Sequence, residues 1–273
     1  MSRQGGSVKE KLKSYKRTPG SFIVMLLVLL AAIITFAALL FLIAYILVNG
    51  VPYLKPSLFS FTYTSDNASL MPALINTLIM TALSLLIAVP LGIFSAIYLV
   101  EYAKRGNKFV EIIRLTTETL QGIPSIVYGL FGMLFFVTFC HWGFSILAGA
   151  FTLSIMVLPL IMRSTEEALK SVPDSYREGS FGLGAGKLRT VFRIVLPSAV
   201  PGILAGVILA VGRIVGETAA LIYTAGTLAV HMYNLASEGL YMDQAYATAV
   251  ILLVLVVVIN TLSGIAAKKL TKS

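Results

Sequence analysis

The sequence predicts an all-α polytopic membrane protein with six transmembrane helices. Three observations carry that expectation. The 273 residues are 58% hydrophobic and only 12% charged, with a mean hydropathy of +0.90, against about 25% charged residues in soluble domains. Six segments, 22–48, 72–99, 117–140, 144–162, 200–225 and 245–267, are apolar enough to cross a hydrocarbon core that needs roughly 20 residues. The runs are continuously apolar rather than alternating, which selects helices over a barrel.

The elements follow in order. The run from Phe22 to Val48 exceeds the apolar region of a secretory leader and lacks a nearby small-residue cleavage site, so no cleavable signal is expected. Residues 48–72, rich in Pro, Ser and aromatics, should lie against the outer surface. Asn76, Thr77 and Thr81 in the second span suit packing hydrogen bonds. Glu118 and Gln121 mark the inner end of the third span, where Pro124 should bend or start the helix. Only His141-Trp142-Gly143 separates the third and fourth spans, with Trp142 suited to a membrane interface.

Segment 163–197 is too polar to span. Ser164 with Glu167 reads as a capping box, and Asp174 after Pro173 as a second helix start. Beyond the glycines, Leu188, Val191, Phe192 and Val195 form an apolar stripe opposite a basic face. Two short helices joined at a Gly-rich turn on the membrane surface are expected. The outer segment 232–244 is short and acidic.

Of the 21 basic residues, six lie in the tail 1–21, four in 101–116, six in 163–197 and three in the tail 268–273. Positive residues collect on the cytoplasmic side, so both termini are expected inside a plasma membrane of bacterial type. The net charge of +9 is then a topology signal aided by anionic membrane lipid. No basic patch interleaved with stacking aromatics points to nucleic acid. Cys140 is the single cysteine, and His141 and His231 are far apart, so no disulfide, metal site or cofactor is implied. GLGAGK imitates a phosphate-binding loop but fails it: Phe181 replaces the first glycine and Leu188 stands where Ser or Thr must bind magnesium.

The same loop carries a resemblance. Glu178-Gly179-Ser180, three residues, Gly184, nine residues, Ile194, one residue, Leu196-Pro197 resembles the E-A-A-x3-G-x9-I-x-L-P signature of ABC importer permeases, with Gly179 and Ser180 replacing the two alanines. Together with LQGIPSIVYGLFG (120–132) and AVGRIVGETAAL (210–221), it is similar to the A-type permease of phosphate-specific importers from about residue 70 to the end. The resemblance implies a type I ABC importer permease domain over 70–267, with a coupling loop at 163–197 that docks on cytoplasmic ATP-binding subunits. It also implies a homologous second permease and an extracytoplasmic phosphate-binding protein. The chain itself would be a transport subunit and not an enzyme. The sister permease, a sulfate or molybdate permease, and a proton-coupled secondary transporter remain as alternatives.

Arg213 is the one basic residue deep in a span, and intramembrane arginines mark function by default. Its planar fork matches phosphate oxygens. Glu217, at i+4, is expected on the same helical face, either tempering anion binding, accepting a hydrogen bond from protonated phosphate, or stapling subunits. Gly202/Gly206 and Gly212/Gly216 permit close helix packing beside it. Arg163, Glu118 and Gln121 are the further candidates for a substrate pathway.

Overall fold

The computed structural model describes residues 19–272 apart from 65, 66 and 105. The predicted tail 1–21 therefore falls almost wholly outside the described residues. The described chain is all-helical: α1 (Pro19–Gly50), α2 (Met71–Tyr102), α3 (Lys108–Gly122), α4 (Ser125–Phe139), α5 (Ile146–Lys170), α6 (Asp174–Gly182), α7 (Lys187–Val215), α8 (Leu228–Glu238) and α9 (Met242–Lys272). Five of these, α1, α2, α5, α7 and α9, are long and apolar enough to cross a membrane alone, and α3 with α4 makes a bent sixth.

The core is α5, wrapped by α2 and α7. Small residues bring these helices together, as expected where lipid supplies no hydrophobic drive between them. A Cβ at Gly202 would stand 2.7 Å from Ala168, and one at Gly206 would collide with Ser164. Ser84 Oγ donates to Ala150 O at 3.1 Å and Ser154 Oγ to Ser84 O at 3.2 Å, tying α2 to α5. The buried centre includes Met80, Leu153, Val157, Ile161, Ile214 and Leu221. A second cluster of Ile97, Leu169, Val191 and Val195 closes the inner end. By contrast α1 is apolar on every side, exposed along its length, and packed mainly on α9. There Gly50 lies against the Tyr246 backbone and the Tyr45 and Tyr246 hydroxyls meet at 3.2 Å.

Several sequence expectations need correction. The third span is not one helix over 117–140: α3 and α4 meet at a bend of 101°. Pro124 forces Ile123 into extended backbone (ψ 131°), which ends α3, and itself opens α4. The fourth span does not stop near 162, because α5 runs on to Lys170. Ser164 and Glu167 are thus helix interior, and the capping box does not exist. The fifth span ends at Val215, with Gly216 as its cap and turns beyond it, where helix was expected to 225. The tail 268–273 is helical through Lys272. Of the two short surface helices expected, the one after Pro173 is present, whereas 187–197 is the first part of α7 and runs unbroken into the fifth span, which therefore starts well before 200.

Outside the bundle, the 48–72 segment folds over α8. Ala68 and Leu235 pack with Ala245, and the Tyr63 and His231 rings meet edge to face at 6.0 Å. Burial holds the His231 imidazole below its ordinary value of 6.5, outweighing its hydrogen bond to Ala68 and the Glu238 charge. Its Nε2 has no partner among the described residues.

Two outcomes follow from this packing. Gly206→Leu should destabilise the α5–α7 seam by about 1–3 kcal/mol, read as a lower thermal midpoint of the purified protein in detergent. For His231, the unfolded chain takes up its proton as pH falls through 6.5, whereas the folded chain does so only lower. Stability is therefore complete above that value and falls as pH drops below it. Thermal melts from about pH 7.5 to about pH 5 should show this slope, and His231→Gln should flatten it.

Candidate substrate pathway and coupling element

Three groups of predicted residues occupy three distinct places. At the inner end, α3 and α5 present charged faces to each other. Arg163 Nε donates to Glu167 at 3.2 Å and its Nη1 lies 3.7 Å from Glu118 across the seam. Arg114 and Lys170 both pair with Glu166, at 2.8 and 2.6 Å. Gln121 Nε2 donates to Pro159 O at 3.0 Å, fixing the end of α3 on α5. The structure thus brings Arg163, Glu118 and Gln121 together, and leaves beside them an open cavity of about 180 Å³ lined by charges of both signs. Sequence reasoning missed Arg114, Glu166 and Lys170. Their signal was available as charge at helical spacing: Arg114 with Glu118, and Arg163 with Glu166, Glu167 and Lys170, each mark one helix face.

Arg213 stands in the last turn of α7, and Glu217 lies beyond the helix end. The expected i+4 pair is not formed. Because α7 stops at Val215, the Glu217 carboxylate turns away and accepts the Ala220 N–H at 3.1 Å, capping the turn that follows. Arg213 makes no ion pair or hydrogen bond among the described residues. It does lie near enough to the buried Tyr128 of α4 to interact electrostatically; the Tyr128 hydroxyl donates to Leu120 O at 2.7 Å across the α3–α4 bend.

The stretch 216–227 is partly buried yet irregular, and side chains satisfy its backbone. Asn76 Nδ2 donates to Gly226 O at 3.3 Å, Thr77 Oγ1 accepts the Leu228 N–H at 2.9 Å, and the Ser145 N–H reaches Thr224 O at 3.0 Å. Gly129 lets α4 approach this stretch, since a Cβ there would sit 2.9 Å from Ala219 O. Asn76 and Thr77 are thus the packing donors and acceptors that the sequence suits them to be.

The importer-permease signature is α6 with its following turn. Gly184 takes φ +81°, open to glycine. The Ala185 N–H bonds Ser180 O and the Gly184 N–H bonds Phe181 O, the double closure of a Schellman motif. Ser180 is buried and shares a 2.8 Å hydrogen bond with Thr190, so the serine in place of alanine fastens α6 to α7. Glu178 and Gly179 are exposed, as are Phe181 and, at 91%, Leu183. Ile194 lines a hollow of about 290 Å³ with Leu183, Gly184, Arg189 and Arg193. Pro197 lacks the N–H that would bond Arg193 O, and α7 widens to π geometry over Val191–Val195 just before it. Leu196 packs on the inner cluster.

The family described as "Binding-protein-dependent transport system inner membrane component" matches residues 88–273. A probable ABC transporter permease protein of Bacillus subtilis, YqgI, is 36% identical over 266 residues, covering 85% of this chain and 89% of its own. The phosphate transport system permease protein PstA of Haemophilus influenzae is 34% identical, covering 79% and 77%. PstA 1 of Mycobacterium tuberculosis is 40% identical over 154 residues, covering 56% of this chain and half of its own length. Among solved structures, a chain of a bacterial alginate ABC transporter aligns with a TM-score of 0.71 at 18% identity, covering 95% of this chain and 98% of that one. An inward-facing MetNI methionine ABC transporter chain gives 0.64 at 22%, covering 74% and 96%. Both carry the same fold.

The Glu217 geometry separates charge from capping. Glu217→Gln keeps an acceptor for the Ala220 N–H and should leave thermal stability unchanged. Glu217→Ala removes it and should cost about 0.5–2 kcal/mol, as lost caps do. Thermal midpoints of the two purified variants check this.

Proposed function

This chain belongs to the family of binding-protein-dependent transport system inner membrane components, and we propose that within it the chain is the permease through which inorganic phosphate enters the cell. As an ABC importer permease it is a multi-pass, non-catalytic subunit of the inner membrane. The substrate reading rests on one structural observation above the others: Arg213, in a span, has no ion pair among the described residues. A guanidinium in a membrane interior is costly unless something offsets it, and a transiting oxyanion does so bidentately. The relatives named as phosphate permeases favour phosphate among oxyanions.

The mechanism follows from the placement of charge. Arg213 attracts the anion and replaces part of its hydration. The Glu217 carboxylate, held on Ala220, leaves the arginine unneutralised and adds a repulsion that keeps the anion from being trapped. Arg163, Glu118 and Gln121 line the inner end, where Arg163 is shared between two carboxylates, so an anion leaving past them meets a balanced field. Alternating access is driven by ATP hydrolysis in separate cytoplasmic subunits that bind the exposed face of α6 around Glu178, Gly179 and Leu183. A homologous second permease completes the pore, an extracytoplasmic binding protein delivers phosphate, and both termini face the cytoplasm.

ATP-dependent uptake of labelled phosphate into vesicles holding the full complex tests the reading, with sulfate and molybdate as competitors. Arg213→Gln should assemble normally and lose about 10–100-fold in uptake, the worth of one charge-assisted contact. Uptake that prefers sulfate, or normal uptake by the variant, would overturn it.

A further inference from the structure

Two inward-facing side chains seat α6 on the rest of the protein. Along Asp174–Gly182 only Arg177 and Ser180, one helical turn apart, point inward, while their neighbours are exposed. Neither is apolar. The element is therefore held by directional polar contacts and not by a buried hydrophobic stripe, which is the usual anchor of a surface helix. Ser180 ties it to α7 through Thr190. Arg177 ties it to the other two helices of the core.

The Arg177 guanidinium uses all three nitrogens. Nη2 and Nε donate to Glu101 Oε1 at 2.7 and 3.1 Å. Nη2 also donates to Leu169 O at 3.0 Å and Nη1 to Val172 O at 2.8 Å, carbonyls at and just past the end of α5. Nη1 lies 3.2 Å from Asp174 on α6 itself. The Arg177 and Glu101 side chains keep only 15% and 8% of their exposure. Glu101 sits in the last turn of α2, which is widened to π geometry and closed by the Ala103 N–H on Tyr98 O at 2.9 Å. Such turns recur at functional positions in helices.

At its opposite end α2 holds the irregular stretch beyond Glu217, through Asn76 on Gly226 and Thr77 on Leu228. One helix thus touches the coupling element at one end and the surroundings of Arg213 and Glu217 at the other. A desolvated charge pair fixed by several hydrogen bonds transmits both push and pull, whereas an exposed pair yields to solvent.

We propose that the Arg177–Glu101 ion pair is the joint through which displacement of α6 drives α2, making both positioning residues for transport. The inference rests on the reading of the chain as an ATP-driven phosphate permease. Its two ends also give coupling a physical carrier, a single helix biased at both termini.

The test uses the full complex in proteoliposomes, measuring ATP hydrolysis and phosphate uptake together. Glu101→Gln is isosteric and keeps a neutral hydrogen bond, and Arg177→Lys keeps the charge but loses the fork. Both should retain ATP hydrolysis and transport at least about fivefold less phosphate per ATP, within the usual range of coupling energies. A second readout is independent of the transported ion: spin labels at Tyr98 and Ser175 in a Cys140→Ser background. Their separation should stay fixed through the ATP cycle in the parent and broaden in Glu101→Gln. Unchanged uptake per ATP with an unbroadened distance overturns the proposal. So does a parallel loss of hydrolysis, uptake and assembly, which is the mark of a merely structural contact. If the substrate reading fails, the parent complex moves no phosphate, while the label distance still reports on the joint.

Discussion

A bilayer offers no water to an unpaired peptide group, and the stretch 216–227 is where this chain meets that constraint without a helix. Its backbone is closed by local turns, by Asn76 and Thr77 of α2 and the Ser145 N–H before α5, and by the Glu217 carboxylate within the stretch itself. Gly129 on α4 makes the room. Much of the rest of the architecture is arranged around this arrangement. α7 can end at Val215, leaving Arg213 in an open last turn, only because the following residues are satisfied by their neighbours.

Charge is distributed by the same logic. At the inner end, where water is near, Arg163 is divided between Glu118 and Glu167, and Glu166 is shared by Arg114 and Lys170. The Arg163 pairs are exposed and contribute about 0–1 kcal/mol each, whereas the Glu166 carboxylate is largely buried between its two cations, and together the pairs orient α3 on α5. Deeper, Arg213 has no such partner. The neutralised cluster and the unneutralised arginine are different devices built from the same residue types, and the presence or absence of a carboxylate within reach decides which is which.

Much of this was legible in the sequence. Hydropathy located each span, because composition alone decides partition into lipid, and Pro173-Asp174 gave the start of α6. What a hydropathy window cannot read is backbone geometry. Residues 216–225 are as apolar as a helix, so the end of α7 passed unseen, and with it the loss of the Arg213–Glu217 pair. Pro124 reads as a bend or a helix start, and both hold, but the 101° angle is not legible from the proline itself. Charges at helical spacing on α3 and α5 were readable in principle. The partner of Arg177 was not: Glu101 is 76 positions away, and only tertiary packing brings it near. The serine that replaces an alanine of the signature at position 180 makes a hydrogen bond to Thr190 that no alanine could, and sequence spacing does not reveal that partner.

The peripheral seat of α1 has a consequence for its sequence. α1 is exposed over most of its length, is buried only at Gly50, and is joined mainly to α9 through Tyr45 and Gly50, outside the contacts that bind α2, α5 and α7. Its remaining surface is left to partition into lipid, and its sequence is released from the need to interdigitate with the core helices. That freedom matches its composition, an apolar cylinder with no preferred side.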